Sequence, residues 1–264
     1  MLSVNGICKT FNPGTVNEKI ALENVSVQLE EGDFVTLIGG NGAGKSTLLN
    51  SVAGVYGVDR GSIRIGDVDV TRIPEHRRAA VLGRVVQDPM MGTAANMEIE
   101  ENLALAYRRG QRRTLRWGIS RKERDLYREL LRQLELGLED RMTVKVGLLS
   151  GGQRQALTLL MATLKNPKVL LLDEHTAALD PKTAEKVLEI SEQLISANHL
   201  TTLMVTHNMK DAIKHGNRLI MMHEGRIILD IRGEEKENLT VEDLLNRFGK
   251  ISGEEFANDR TLLS

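Results

Sequence analysis

The sequence predicts an α/β fold on three observations. An apolar strand, Phe34–Ile38, feeds a glycine-rich loop, and the loop runs into a segment, Lys45–Ala53, suited to a helix. Residues 98–164 then read as helical, with few β-branched residues and many leucines, arginines and glutamates. Beyond them strands and helices alternate, the order that builds a parallel sheet.

The opening third is expected to be β-rich. Residues 2–8, 20–29, 34–38 and 62–70 carry strand-like alternation or β-branched runs. After the helical middle, residues 169–172 read as a fully buried parallel strand and Pro181–Ala197 as a helix. Residues 201–206 and 218–222 follow as strands, with 225–231 as a hairpin partner for the last. The tail after Gly233 is acidic, weakly helical over 241–248, and ends in polar residues expected to fray.

A chain of 264 residues, 41% hydrophobic, supports one sizeable core or two modest lobes. Its formal net charge of −1 gives no general attraction to nucleic acid. The one cysteine, Cys8, excludes an internal disulfide framework and fits a reducing compartment; in its apolar stretch it is expected to pack rather than react. Residues 1–5 lack the charged start and long apolar core of a secretory leader. The most apolar runs, 157–164 and 169–172, are far shorter than a membrane span, so work at a membrane requires a partner.

Residues 108–132 hold nine arginines and one lysine against three acids. Two readings stay open: a solvated helical face, or contact with anionic lipid headgroups or an acidic partner beside a membrane. Tyr107, Trp117 and Tyr127 are the only aromatics there, too few to suggest nucleic acid. Trp117 packs locally or anchors an interface.

The loop after the strand reads Gly39-Gly40-Asn41-Gly42-Ala43-Gly44-Lys45-Ser46-Thr47, a complete P-loop. Its amides are expected to point at a nucleotide's phosphates, reinforced by the positive end of the following helix. Lys45 suits the β- and γ-phosphates, and the Ser46 hydroxyl suits Mg²⁺. Further on, the run Val169-Leu170-Leu171-Leu172 ends on Asp173 and Glu174. In P-loop ATPases the first acid holds Mg²⁺, usually through water, and the second polarises the attacking water. The bland alternative is a strand-end turn with Asp173 as a cap.

Between these motifs stands Leu149-Ser150-Gly151-Gly152-Gln153-Arg154-Gln155. Ser150 is placed to cap a helix running to about residue 165, and Gly151 and Gly152 let backbone amides approach a phosphate. With LSGGQ and both Walker motifs in this order, the chain resembles the ATP-binding-cassette (ABC) ATPases over about residues 2–231. The resemblance implies the P-loop NTPase fold of ABC ATPases: a RecA-like core with an antiparallel β subdomain and an inserted α-helical subdomain. It implies one domain over 1–264, with the helical subdomain at about 90–165 and a short tail at 234–264.

The resemblance also supplies roles. Gln87, in Val85-Val86-Gln87-Asp88-Pro89, matches the Q-loop glutamine that touches Mg²⁺ or the attacking water. Asp180 matches the D-loop aspartate that works across a dimer, and it suits an N-cap before Pro181. His207 matches the switch histidine on the γ-phosphate. Phe11 matches the A-loop aromatic that stacks on adenine; its plain alternative is a core phenylalanine. Departures are Gly40 and His175 where the family often has proline, and Ala177 where it often has serine. Ala177 weakens cross-dimer hydrogen bonding, and His175 is assigned no chemistry because Glu174 holds the matched position.

One P-loop and one LSGGQ per chain imply a homodimer with two composite sites for ATP and Mg²⁺. In each, Phe11, residues 39–47, Gln87 and Asp173 act from one protomer, with Glu174 as general base and His207 on the γ-phosphate. Ser150, Gly151, Gly152 and Gln153 come from the other. The function implied is the ATPase subunit of a membrane transporter, held at the cytoplasmic face of the cell membrane by permease subunits, with an extracytoplasmic substrate-binding protein in the full system. Residues 149–164 and 173–181 resemble a subgroup of amino-acid importers, including those of aromatic amino acids; residues 97–105 resemble importers of branched-chain amino acids and sugars. The alternatives are an exporter, or a soluble ABC ATPase of DNA repair or chromosome maintenance. The latter usually carry coiled coils or zinc modules between the Walker motifs, and this chain has neither.

Overall fold

Strands β1 (Leu2–Phe11), β2 (Lys19–Leu29) and β3 (Phe34–Ile38) open the chain, followed by α1 (Lys45–Ala53), β4 (Arg60–Ile65), β5 (Val68–Asp69) and the single turn α2 (Glu75–Arg78). Next come β6 (Leu82–Val85), α3 (Ile99–Tyr107), α4 (Arg121–Arg132), α5 (Gly151–Thr163), β7 (Val169–Asp173) and α6 (Pro181–Ala197). The chain closes with β8 (Thr201–Val205), α7 (Met209–Lys214), β9 (Arg218–His223), β10 (Arg226–Arg232), α8 (Glu234–Glu237) and α9 (Val241–Ser252). The structure, a computed structural model, describes residues 1–111 and 118–252, with side chains described to residue 249 in the last helix. Arg112, Arg113, Arg116, Trp117 and the polar end 253–264 lie outside the described residues. Two compact units form: Met1–Arg78 with Leu200–Ser264, and Ala79–His199.

The first unit holds an antiparallel sheet in the order β2-β1-β4-β5. Leu2 faces both Leu29 and Ile65, and Val4 faces both Val27 and Ile63, so alternate residues of three strands fill one buried face. The stretch read as one strand over 62–70 is two strands. Gly66, at φ 58, turns the chain back between β4 and β5, a conformation that extended backbone cannot continue through. β1 also runs past residue 8 to Phe11, with register shifts after Val4 and beyond.

In the same unit β3 lies between β8 and β9 and runs parallel to both, while β10 pairs antiparallel with β9. All five residues of β3 and all five of β8 are buried, which is why neither shows the alternation of a half-exposed strand. The tail is tied to this sheet. Leu244 and Phe248 of α9 join Ile38, Leu219, Met221 and Ile231 in one buried cluster. Lys236, 3% exposed, donates to the carbonyls of Ile213, His215 and Gly216 and so closes the end of α7.

The second unit pairs β6 with β7 in parallel, Leu82 opposite Val169 and Val85 opposite Leu172. Among the described residues, the span 98–164 holds three α-helices and one 3-10 turn rather than a continuous helical stretch. Glu135 (φ 54) and Gly137 (φ 67) end the helical path after α4, and Glu98 makes an isolated bridge with Lys145. α3 and α4 both pack on α5 around Leu103, Tyr127, Leu131 and Leu157.

Among the described residues, five arginines of the basic stretch are committed internally. Arg124 grips the buried Glu100 with Nε at 2.9 Å and Nη2 at 2.8 Å, Arg108 pairs with Glu123 at 3.0 Å, and Arg109 donates to the Met161 carbonyl. Arg128 and Arg132 pair with acids one turn back on α4. Burial lowers the Arg109 guanidinium from its usual range, while Glu100 raises that of Arg124.

Candidate functional site

Glycine is required at the loop by contact as well as by backbone angle. Gly39 (φ 151) and Gly44 (φ 102) stand where a Cβ would come within 2.2 Å of the Met222 carbonyl oxygen and 2.6 Å of the Ala21 carbonyl oxygen. Gly42 (φ 78) makes the exposed tip. The loop is braced from below: Gly225 N–H donates to Ala43 O at 3.0 Å, and Ala43 N–H to Gly40 O at 3.2 Å. Asn41 and Gly42 are exposed, Ala43 and Gly44 buried, and Thr47 half-buried in the first turn of α1.

Lys45 is 7% exposed and its Nζ lies 2.7 Å from Gly39 O and 3.1 Å from Gly40 O. The next residue, Ser46, is exposed. α1 begins at Gly44 without a side-chain cap. The first-turn amides of any helix lack intrahelical acceptors, so an uncapped start beneath a cationic loop is suited to an anion.

β3 and β8 bring a second candidate to the same edge. Leu37 is in register with Val205, and Thr206 N–H donates to Leu37 O at 3.2 Å, so Gly39 and His207 both lie just past the carboxyl ends of neighbouring parallel strands. His207 is exposed there, and Asn208 caps α7 by accepting from Lys210 and Asp211 amides. Ligands of open α/β sheets bind just outside the carboxyl ends of the strands, where both residues stand. At the end of β1, Phe11 is half-buried. Its ring meets Tyr56 edge-on at 5.3 Å and 83°, and Lys9 Nζ sits 5.6 Å above it. Asp59 ties this strand end down by accepting from Thr10 N–H at 2.6 Å and from Lys9 at 3.2 Å.

The second unit assembles the carboxylates. The register of β6 on β7 carries Gln87 and Glu174 to equivalent places past the two strand ends, with Asp173 at the last position of β7. Gln87 is exposed; Asp173 and Glu174 are half-buried. Arg84 Nη2 stands 3.6 Å from Asp173 Oδ2. Glu174 holds φ 45, in the left-handed region that non-glycine residues rarely occupy.

The Leu149-to-Gln155 run behaves as a helix start. Ser150 Oγ accepts from Gln153 N–H at 3.3 Å, and Gln153 Oε1 accepts from Ser150 N–H at 3.2 Å, a reciprocal capping box. Ser150 and Gly151 are exposed, whereas Gly152 is buried. A Cβ on Gly152 would lie 2.2 Å from Thr183 Cγ2, so α5–α6 packing also demands that glycine. Asp180 caps α6 by accepting from Thr183 N–H at 3.1 Å, and its hydrogen bonds with Thr183 hold the carboxyl below the usual range.

The family model for the ABC transporter matches residues 22–177. The chain belongs to the ABC transporter family. It is 44% identical over 94% of its length to the tyrosine transport ATP-binding protein of Clostridioides difficile, covering 98% of that protein. It is 34% identical over 84% of its length to a phosphonates import ATP-binding protein of a Nostoc species, covering 89% of it. A solved dimeric ATP-binding cassette, in a post-hydrolysis state with ADP and Pi bound, matches with a TM-score of 0.75 at 28% identity, covering 88% of this chain and 98% of that one. The fold is therefore that of the ABC ATPases, and this chain is an ATP-binding, ATP-hydrolysing transporter subunit.

Four residues of this ABC subunit escaped the sequence reading. Tyr56 and Asp59 support Phe11 from a loop 45 or more residues away, and no pattern in either segment announces the contact. Arg84 faces Asp173 only through strand register. Gln155, fully buried, donates to Val86 O at 3.4 Å beside Gln87; its place two residues after Gln153 on α5 was the available signal.

Proposed function

We propose that this chain powers import of an amino acid, of aromatic class, as one half of a homodimer that closes on two ATP molecules. The cargo reading is supported by the 44% identity to a tyrosine transport ATP-binding protein over nearly the whole of both chains. The observation that carries the ATP site is the uncapped start of α1 beneath a glycine loop that seats the buried Lys45 ammonium against the Gly39 and Gly40 carbonyls.

In this reading Phe11 stacks on adenine, and the residues 39–47 take the phosphates through backbone amides and the Lys45 ammonium. Ser46, Gln87 and Asp173 would hold Mg²⁺. Among the described residues no group of three or more His, Cys, Asp or Glu forms a metal cluster. Mg²⁺ takes one or two carboxylates and completes its shell with phosphate and water. When bound, it supplies neutralisation of charge on the phosphates.

Glu174 accepts the proton of the attacking water, and His207 donates to the γ-phosphate from the end of β8. Ser150, Gly151, Gly152 and Gln153 of the second protomer complete the phosphate shell with a helix start, and Asp180 acts across the same interface. Permease subunits hold the dimer at the cytoplasmic face of the membrane and turn its closing and opening into transport, with cargo delivered by an extracytoplasmic binding protein. No described helix is long and apolar enough to cross a membrane. Met90, Met91, Leu105 and Leu148 are exposed large apolar residues of the second unit.

The test is a nucleotide trap. Glu174→Gln is expected to keep ATP binding, lower turnover by about 10²–10⁴, and run as a dimer in ATP. A variant that binds ATP yet stays monomeric, alone and with its permease, overturns the sandwich.

A further inference from the structure

The residue after the candidate base is a histidine with almost no solvent contact. His175 is 2% exposed, and its Nε2 lies 3.0 Å from Ser191 Oγ, which is 1% exposed in α6. Ser191 spends its own proton on the Val187 carbonyl at 2.7 Å. The hydroxyl therefore faces the imidazole with a lone pair, and Nε2 is the protonated ring nitrogen. The bond joins residues sixteen positions apart and closes a loop that contains the turn after β7, the Asp180 cap and more than half of α6.

That loop begins at a strained point. Glu174, at φ 45, holds a backbone conformation that persists only where its surroundings over-determine it. Before it, β7 is fixed by its parallel pairing with β6. After it, Ala177 N–H donates to Glu174 O at 3.0 Å, and His175 is fastened to α6. α6 is itself firmly seated, with Val187, Leu188, Ile190, Leu194 and Ile195 all buried. The His175 side chain thus transmits the position of a packed helix to the residue that carries the carboxylate.

We infer that His175 is a positioning residue for hydrolysis, holding Glu174 in place through Ser191 and taking no part in the chemistry. This rests on Glu174 as the base, and two readouts separate the two ideas. The first is independent of turnover: in nitrogen-15 spectra of the full chain, His175 shows the Nε2–H tautomer, and Ser191→Ala shifts that nitrogen. The second is kinetic. Ser191→Ala lowers kcat about 10-fold, as a small misplacement of a reacting group does, while KM for ATP stays within about twofold. Ser191→Thr, which keeps the hydroxyl, retains wild-type kcat. An Nδ1–H tautomer, unchanged kcat in Ser191→Ala, or equal losses in the Ala and Thr variants overturns the inference. If Glu174→Gln hydrolyses ATP like the wild type, the base assignment falls and the positioning role falls with it, while the tautomer still reports whether the tether exists.

Discussion

Lys45 Nζ lies 2.7 Å from the Gly39 carbonyl oxygen, so the cation of the loop rests on the backbone of the loop that carries it. Carbonyls are modest partners for an ammonium, and phosphate oxygens are stronger ones. Lys45→Ala is therefore expected to weaken ATP binding about 100-fold, the worth of a charge-assisted hydrogen bond, with the fold retained. Titration with a fluorescent ATP analogue measures it. Affinity within about threefold of wild type, roughly 0.7 kcal/mol, removes Lys45 from the site.

Gly44 tests the backbone of the same loop. At φ 102, with the Ala21 carbonyl oxygen 2.6 Å from any added Cβ, alanine faces both an unfavourable backbone region and a fixed obstacle. Gly44→Ala is expected to destabilise the chain by about 2–4 kcal/mol, combining strain and overpacking, and to lose ATP binding. Urea unfolding reads the first and nucleotide titration the second. A stable Gly44→Ala chain that binds ATP normally shows that Ala21 yields.

Local chemistry made most of this molecule readable. Lys45–Ala53 follows a loop whose glycines permit the sharp turn into a helix, and its bounds were legible to the residue. β3 and β8 are buried throughout and β7 up to Asp173, and their short runs rich in apolar and β-branched residues read as strands. The split at Gly66 was missed because a two-residue β5 is too short to show a period. Residues 98–164 looked uniformly helical because propensity is blind to Glu135 and Gly137, where tertiary packing sets positive φ. Site support was the least legible: Asp59 on the Thr10 amide, Arg84 on Asp173 and Ser191 on His175 are all contacts set by folding rather than by spacing.

Phe11 separates a binding ring from a packing ring. Its ring is half-buried, with Tyr56 perpendicular to it and Lys9 over it, and stacking on adenine is the expected use of the part left exposed. Phe11→Ala is expected to weaken ATP binding by about 1–3 kcal/mol, by analogy with base stacking. It should destabilise the fold by less than the roughly 3–5 kcal/mol that a core phenylalanine costs. Comparing ATP with an inorganic triphosphate makes the point sharper, since only ATP affinity should fall. Equal losses for both ligands, or a core-sized loss of stability with unchanged affinity, assign the ring to packing.

Arg218 and Asp230 offer a pH test in the first unit. The Arg218 side chain is 3% exposed and grips Asp230 with Nε at 2.7 Å and Nη2 at 2.6 Å, across the β9–β10 pair. Burial raises the Asp230 carboxyl, but hydrogen bonds from Arg218 and Arg232 outweigh it and hold the net value below 3.8. A depressed folded-state value means that the pair stabilises the chain above pH 3.8 and that this contribution is lost as pH falls through the lower folded value. Asp230→Asn leaves the Arg218 charge buried and unpaired. The full penalty for breaking a buried pair is about 3–5 kcal/mol, and solvent at the 37% exposed Asp230 reduces the expected loss to about 1–2 kcal/mol near neutral pH. Because protonated aspartate resembles asparagine, the gap between the two chains should close as pH drops below 3.8. Denaturant unfolding across that range measures it, and a gap that stays constant with pH shows that the ion pair is not its source.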